Sequence, residues 1–139
     1  MVESIKLVYV CDNNYAICTG VSIFSLKVNR NPDYVYDIYV ICQDVSGYNI
    51  KLLKELSEEG FHIRVHDVGR DERVSQFERQ KDVLHVSTTA LYKFYLPELL
   101  PSLDKVLYVD GDTLIRGDLV DLYETSLDLN YAAVCRDIG

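Results

Sequence analysis

Two aspartates, Asp110 and Asp112, directly follow an apolar run and are separated by Gly111. The run, residues 105–109, predicts a buried central strand whose carboxyl end opens into a crevice. Ligands of open α/β sheets bind at that end of the strands. Because unpaired carboxylates resist desolvation, the simplest partner there is a hard divalent cation, Mn²⁺ or Mg²⁺. We therefore predict a metal site on the two acids, with the metal in turn holding a phosphate-bearing substrate.

The spacing of the acid pair supports this interpretation and leaves one alternative open. In an extended backbone, residues two apart project to the same side, as Asp110 and Asp112 would. Gly111 adds no bulk and lets a ligand approach the backbone. Asp-Gly is also a common turn dipeptide, so the same residues are typical of a polar turn without a ligand. The preceding apolar strand favours the metal site.

A second polar group, including Asp12 and Asn14, follows the first predicted strand at residues 5–11. In a parallel sheet this group lies on the same edge as Asp110. Asp and Asn side chains can bind the hydrogen-bonding edge of a base, and Tyr15 offers a ring for stacking. A compatible alternative is that Asp12 or Asn14 caps the following helix. Glycine-rich phosphate loops are absent from the sequence, which again favours a metal as the partner of the phosphate.

The elements that must position these groups alternate along the chain. Strands are predicted at residues 5–11, 36–42, 61–68, 105–109 and 131–135, and helices at 15–28, 49–59 and 88–100, with a short helix or turn at 118–123. The charged segment 70–82 is predicted to be a surface helix or a loop. The β-α-β-α-β order implies parallel strands with crossover helices. The fold class is therefore α/β, with one domain over residues 1–139.

Three local patterns refine these elements. The first helix is predicted from apolar residues that recur on one helical face: Ile17, Val21, Phe24 and Val28. Gly60 is the expected C-terminal stop of the second helix. The third strand alternates between apolar and polar residues, which places His62 and His66 on a wet face and argues against a metal role for them.

Charge, hydropathy and cysteine spacing argue against several classes of partner, membrane segment and metal or disulfide site. The net charge of −8 argues against nucleic acid and anionic membranes, which require clustered Lys and Arg. No segment approaches the length of a membrane helix, and no secretory signal is visible. The spacing of the four cysteines favours reduced, buried thiols in a cytoplasmic protein over zinc or disulfides: Cys11, Cys18, Cys42 and Cys135.

Several ordered segments resemble glycosyltransferase family 8, the retaining hexosyltransferases with a Rossmann-like, nucleotide-binding GT-A fold. The matching segments are residues 8–16, 20–26, 92–101, 104–112, 117–119 and 122–123. A lone Asp-x-Asp is a weak signal, whereas this ordered set spans nearly the whole chain. The resemblance is to the N-terminal half of the family domain. It therefore implies that the C-terminal part of the fold, including a metal-binding His, is missing and that this chain alone is inactive.

The resemblance implies roles for individual residues. Asp12, Tyr15 and the nearby Asn14 would hold the uracil of a UDP-sugar, and Asp110 and Asp112 would bind Mn²⁺ (or Mg²⁺). The nucleotide-sugar site implied as a whole comprises Cys11, Asp12, Asn14, Tyr15, Lys93, Asp110, Gly111 and Asp137. Lys93 stands where the family usually has Arg, a departure that keeps the charge and removes the planar fork. No residue is assigned as catalytic.

The function implied by the resemblance is metal-dependent transfer of glucose or galactose from a UDP-sugar, with retention, in the building of cell-surface glycans. The acceptor hydroxyl would belong to a saccharide, a lipid-linked saccharide or a protein, and a part outside this chain would allow peripheral membrane association. One alternative is a non-catalytic module that binds UDP and metal. Another is a haloacid-dehalogenase-type phosphatase. In that class the Asp-x-Asp motif opens the domain and Thr follows two positions later, whereas Thr113 follows directly.

Overall fold

A parallel β-sheet forms the centre of the computed structural model, which describes residues 4–69, 72 and 88–136. The strands are β1 (Ile5–Asp12), β2 (Tyr36–Gln43), β3 (Phe61–Asp67) and β4 (Leu107–Tyr108). The helices are α1 (Ala16–Asn29), α2 (Gly47–Glu55), the 3₁₀-helix η1 (Thr88–Tyr95), α3 (Leu96–Leu99) and α4 (Val120–Glu124). The strand order is β3-β2-β1-β4, and every adjacent pair is parallel. The predicted α/β fold with crossover helices is confirmed.

Strand β1 is buried on both faces because helices cover the sheet from both sides. Leu7 and Tyr9 lie in the core cluster shared with α1 and α2, and both are fully buried. Val8, between them, points to the other face and packs with Tyr92 and Leu96 from η1 and α3. This position explains why the sequence of β1 reads as a continuous apolar run instead of an alternating one.

Helix α1 packs through a face that its apolar periodicity does not indicate. The helix itself is confirmed, but its recurring large apolar residues are 52–68% exposed: Ile17, Val21, Phe24 and Val28. The buried positions include Ile23 and Leu26 together with Ala16 and three hydroxyl residues. Small side chains on this face let α1 approach the sheet and the loop after β4 closely. Periodicity therefore identified the helix without identifying its packed side.

Strand β4 differs from the prediction of a buried central strand at residues 105–109. It comprises Leu107 and Tyr108, is half-buried, and pairs with β1 at one edge of the described sheet. The backbone stays close to β1 for one more residue, since the Val109 amide donates to the Val8 carbonyl at 3.0 Å. No described strand lies against its outer edge, which accounts for the shorter ladder and the partial exposure.

Other boundaries also shift. The strand predicted at 131–135 is wrong, because Tyr131 and Val134 are fully or almost fully exposed and residues 131–135 pair with none of the described strands. Helix α2 ends at Glu55, and Gly60, with φ of 72°, serves the turn into β3 instead of stopping the helix. The predicted helix at 88–100 consists of η1 followed by the single turn α3. The charged segment 70–82, apart from residue 72, lies outside the described residues.

The cysteine prediction is confirmed in part. All four cysteines are free, and Cys11 and Cys42 are buried at the ends of β1 and β2. Cys18 and Cys135 are exposed, contrary to the expectation of buried thiols. Cys18 lies on the outer side of α1, which the apolar character of its neighbours did not reveal.

The core position of β1 gives a direct stability test. Leu7 is fully buried, so Leu7→Ala should lower the free energy of unfolding by about 2–5 kcal/mol through lost transfer energy and an unfilled cavity. The matched control is Leu129→Ala, because Leu129 is 100% exposed and its truncation should change stability by less than about 0.5 kcal/mol. Urea denaturation followed by circular dichroism measures both, and equal effects would contradict the packing described here.

Candidate functional site

An open cleft lies beside the carboxyl ends of β1 and β4. Its volume is about 280 Å³. The residues that line it come from β1 and the turn after it, from η1, and from β4 and the loop after it: Val10, Cys11, Asp12, Tyr15, Thr89, Ala90, Tyr108, Asp110, Gly111 and Asp112. The two polar groups predicted to share an edge of the sheet therefore meet in one cleft.

The turn after β1 is organised by the Asp12 carboxylate. Its Oδ1 atom accepts hydrogen bonds from the amides of Asn14 at 2.9 Å and Tyr15 at 3.0 Å. These bonds close an Asx-type turn that precedes α1. The N-cap of α1 is Tyr15 and has no side-chain cap hydrogen bond, so the predicted helix cap by Asp12 or Asn14 is wrong. Tyr15 lines the cleft and remains 49% exposed, which leaves ring surface available to a ligand.

The same turn is tied to the start of α2. The Asn13 side-chain oxygen accepts from the Ser46 amide at 2.9 Å and from the Asn49 side-chain amide at 3.0 Å. Ser46 in turn caps α2 by accepting from the Asn49 amide. This network fixes the wall of the cleft that Asp12 and Tyr15 form.

The acid pair sits on a compact loop whose first acid is held in place. The Tyr108 phenol donates to Asp110 Oδ1 at 2.8 Å, and the Thr113 hydroxyl donates to the Asp110 carbonyl at 2.8 Å. Burial and, next, the hydrogen bond to Asp110 raise the pKa of Tyr108, so the phenol stays protonated and remains a donor. Asp112 is exposed on the cleft side of the loop.

Gly111 allows this loop to pack against α1. An ideal Cβ at position 111 would lie 2.3 Å from Thr19 Oγ1, a separation that side-chain atoms do not tolerate. Thr19 is fully buried, and its hydroxyl lies beside the Cys11 thiol without a partner of standard hydrogen-bond geometry among the described residues. Any side chain at 111 would therefore push the two acids away from the helix.

The donor set fits a hard divalent cation that shares its coordination with a ligand. Asp110 and Asp112 offer carboxylate oxygens on one wall of the cleft. Within the part of the chain that the structure describes, no three His, Cys, Asp or Glu side chains gather closely enough to hold a metal by themselves. Mg²⁺ and Mn²⁺ accept one or two carboxylates together with phosphate oxygens and water. The two acids suit such a shared site better than a closed protein cage.

Not every predicted site residue reaches the cleft. Asn14 is exposed and does not line it. Lys93 is also exposed and borders the cleft indirectly, with its Nζ atom 6.0 Å from the centre of the Tyr108 ring. Asp137 lies outside the described residues. His62 and His66 are exposed on β3, as expected for the wet face of that strand, and His62 contacts Asp37 at 3.2 Å.

Four lining residues were not singled out in the sequence. Tyr108 had a usable signal, because it precedes Asp110 by two positions and strand alternation places both on one side. Thr89 lies in the first turn of the helix predicted at 88–100, and its position there gives no reason to connect it with a ligand. Val10 and Ala90 carry no chemical group that sequence reasoning could connect with a ligand.

Comparison with known proteins places this geometry in a family. The model of the family described as "Glycosyl transferase family 8" matches residues 6–139. The chain belongs to glycosyltransferase family 8. The crystal structure of the galactosyltransferase LgtC in complex with donor and acceptor sugar analogs superposes with a TM-score of 0.75 at 28% identity, over 89% of this chain and 44% of LgtC. The GT-A architecture predicted from the sequence is thereby confirmed.

Two curated bacterial proteins extend the comparison. General stress protein A of Bacillus subtilis is 25% identical over 139 residues, which cover 99% of this chain and 48% of the relative. Glycosyltransferase GlyF of Streptococcus pneumoniae is 30% identical over 88% of this chain and 29% of its own length. The chain thus spans half or less of the length of these relatives. Among the described residues, no helix is long and apolar enough to cross a membrane.

The contact between Gly111 and Thr19 predicts a paired effect. Gly111→Ala should destabilise the protein by about 1–3 kcal/mol, because the new methyl group overlaps the Thr19 hydroxyl. Adding Thr19→Ala removes that hydroxyl and should recover part of the loss. Gly117→Ala is the control, since a Cβ there meets no atom within 4 Å. Denaturation midpoints are measured for the wild type, these three variants and the single variant Thr19→Ala. A double variant whose loss equals the sum of the two single losses would contradict the proposed overlap.

Thiol reactivity should divide the cysteines into two classes. Burial raises the pKa of Cys11 to about 11 and that of Cys42 to about 12, and the thiolate is the reactive form. Cys18 and Cys135 are exposed. Titration of the native protein with Ellman's reagent at pH 8 should therefore label two thiols rapidly, and denaturation should release the other two. Rapid labelling of Cys11 in the native state would contradict its buried position.

Proposed function

We propose that the protein of which this chain forms the nucleotide-binding part transfers a hexose, glucose or galactose, from a UDP-sugar to a hydroxyl acceptor. The observation that carries the proposal is the convergence of Asp12, Tyr15, Asp110 and Asp112 on one cleft in a family 8 fold. Family membership supports sugar transfer in general. The identity of the donor, the metal dependence and retention of configuration are the proposed refinements.

The nucleoside would bind at the β1 side of the cleft. Tyr15 offers an exposed ring face on which a uracil can stack, and Asp12 lies beside it in a rigid turn. Because the Asp12 carboxylate already accepts two backbone amides, its orientation is set before the ligand arrives. Asn14 and Lys93 do not line the cleft. We therefore propose that they contact the donor only once it is bound.

The diphosphate would bind at the β4 side of the cleft. Asp110 and Asp112 would hold Mn²⁺ or Mg²⁺, which when bound neutralises the charge of the departing diphosphate as a Lewis acid. Tyr108 occupies one oxygen of Asp110 and so orients that carboxylate. The exposed Asp112 provides the second carboxylate. Gly111 keeps the backbone between the acids free of bulk, which lets phosphate oxygens come close.

Acceptor and location belong to the same proposal. We propose a saccharide, lipid-linked or protein hydroxyl as the acceptor, consistent with the donor and acceptor sugar analogs bound by LgtC. The four free cysteines support a reducing compartment, such as the cytoplasm. The match to family 8 favours sugar transfer over the phosphatase alternative. A non-catalytic module that binds UDP remains the alternative that the experiment must separate.

UDP titration by calorimetry, with and without Mn²⁺, tests this proposal. Binding should require the metal, and EDTA should abolish it. Asp112→Asn removes one carboxylate from the metal and should weaken UDP binding by more than the roughly 10–100-fold that loss of an outer-sphere partner typically costs. Asp104→Asn is the matched control, because Asp104 is exposed on the segment before β4, away from the cleft.

Activity distinguishes the enzyme from the binding module. The full-length protein, incubated with Mn²⁺ and UDP-glucose or UDP-galactose, should release UDP. A coupled assay measures this release, which should be faster when a saccharide acceptor is present. UDP binding without any transfer or release by the full-length protein would favour the module. Absent or metal-independent UDP binding would overturn the proposed function.

A further inference from the structure

Helix α1 presents four small polar side chains to the loop that carries the acid pair. They recur at steps of three, three and four and form what we call the α1 polar seam: Thr19, Ser22, Ser25 and Asn29. Thr19 and Ser22 are fully buried, and Ser25 is 6% exposed. The seam faces residues 110–115, which follow directly from β4.

Buried hydroxyls in the middle of a helix need a structural reason. Ser and Thr are poorer helix formers than the aliphatic residues that would otherwise fill a core position. A hydroxyl taken from water without a partner costs free energy. Ser22 and Ser25 both make defined hydrogen bonds, whereas Thr19 lies beside Gly111 without one. An apolar face on α1 would pack against β1 equally well, but it could not hold a polar loop.

The far end of the seam fixes the loop through its backbone. The Ile115 amide donates to Ser25 Oγ at 2.9 Å, and the Asn29 side-chain amide donates to the Ile115 carbonyl at 3.0 Å. The Ser25 hydroxyl in turn donates to the Ser22 carbonyl at 2.6 Å. Both polar groups of the Ile115 backbone are thereby satisfied by one helix.

The near end of the seam connects the sheet to the first acid. Ser22 Oγ lies 3.1 Å from the Tyr9 hydroxyl and 3.2 Å from Thr113 Oγ1. Thr113 Oγ1 also lies 2.8 Å from the Asp110 carbonyl, to which it donates its hydrogen. Four groups from β1, α1 and the loop therefore form one continuous chain of hydrogen bonds.

Proton counting fixes the direction of this chain. Each hydroxyl has one hydrogen. Because Thr113 gives its hydrogen to the Asp110 carbonyl, it must accept from Ser22, and Ser22 must then accept from Tyr9. Burial raises the pKa of Tyr9 to about 12, so the phenol that starts the chain keeps its proton at neutral pH. All three hydrogen bonds point the same way and end at the backbone of Asp110.

We propose that Ser22 is a positioning residue for the acid pair, because it holds Thr113 and, through Thr113, the Asp110 backbone at a fixed distance from β1. This inference rests on the proposed function, since it assigns the acid pair to a divalent cation. Side chains that orient metal ligands typically tune metal affinity without touching the metal. The chain from Tyr9 through Ser22 and Thr113 would supply that orientation here.

Mn²⁺ binding, measured by the electron paramagnetic resonance signal of free Mn²⁺ in the presence of UDP, tests the proposal. Ser22→Ala breaks the chain at its centre and should lower Mn²⁺ affinity by about 10-fold. Thr113→Ser keeps the hydroxyl and should retain most of the Mn²⁺ affinity. Thr113→Val removes the hydroxyl and should lower the Mn²⁺ affinity. The double variant Ser22→Ala/Thr113→Val should lose less than the product of the two single losses, because both changes interrupt the same chain.

Ser57→Ala is the matched control. It removes a serine hydroxyl that accepts from the Ile63 amide at 3.0 Å on β3, at the opposite edge of the sheet from β4. It should leave Mn²⁺ affinity unchanged even where it lowers the unfolding midpoint as much as Ser22→Ala does. A second readout needs no metal. The Thr113 amide donates to the Asp110 carbonyl at 3.2 Å, and its hydrogen exchange should accelerate in Ser22→Ala but not in Ser57→Ala.

The outcomes separate the two proposals. Wild-type affinity in Ser22→Ala, or an equal loss in Ser57→Ala, would overturn the positioning role and leave the proposed function standing. Failure of the wild-type protein to bind Mn²⁺ with UDP present would overturn the proposed function and this inference together. A loss confined to Ser22→Ala and Thr113→Val, with faster exchange at Thr113, would support both.

Discussion

Parallel pairing of β1 with a strand on each side is the constraint on which the cleft depends. The register joins Val8 to Tyr108 and Cys11 to Cys42. Counted along the chain, Asp12 lies as far beyond Val8 as Asp112 lies beyond Tyr108. The register therefore brings two acidic segments, separated by some hundred residues of sequence, to the same level at one edge of the sheet. A shift of the register would separate them.

The electrostatic character of the cleft follows from this convergence. Asp12, Asp110 and Asp112 all line it, while the lining residues from the described part of the chain include no Lys or Arg. The protein as a whole carries a net charge of −8. An anionic ligand would meet repulsion in such a cleft unless a cation came with it. Lys93, beside the Tyr108 ring, supplies positive charge at the margin and not at the centre.

Sequence patterns predicted the features that depend on local chemistry. The first three strands, the helices α1 and α2, and the parallel topology follow from apolar runs and their alternation. The acid pair and Tyr15 could be selected because carboxylates after an apolar strand and an aromatic ring after a polar turn have few uses. These choices needed no knowledge of distant contacts.

What the sequence could not provide depends on neighbours in space. Strand β4 is short and lies at an edge of the described sheet, because ladder length depends on partners that one segment does not encode. Residues 131–135 have the composition of a strand, and none of the described strands pairs with them. The packed face of α1 was hidden because half of its buried residues are Ser or Thr, two of which hydrogen-bond to a loop some ninety residues away. Periodicity detects apolar residues alone.

The outward apolar stripe of α1 has a consequence for how the molecule behaves in solution. This stripe consists of four exposed apolar side chains: Ile17, Val21, Phe24 and Val28. The net charge of −8 makes separate molecules repel one another. Colloidal stability then rests on a balance between long-range repulsion and short-range attraction. Added salt shortens the repulsion to about 10 Å at 0.1 M and leaves the attraction intact. We therefore expect dilute buffer to favour dispersed molecules and concentrated salt to favour their association.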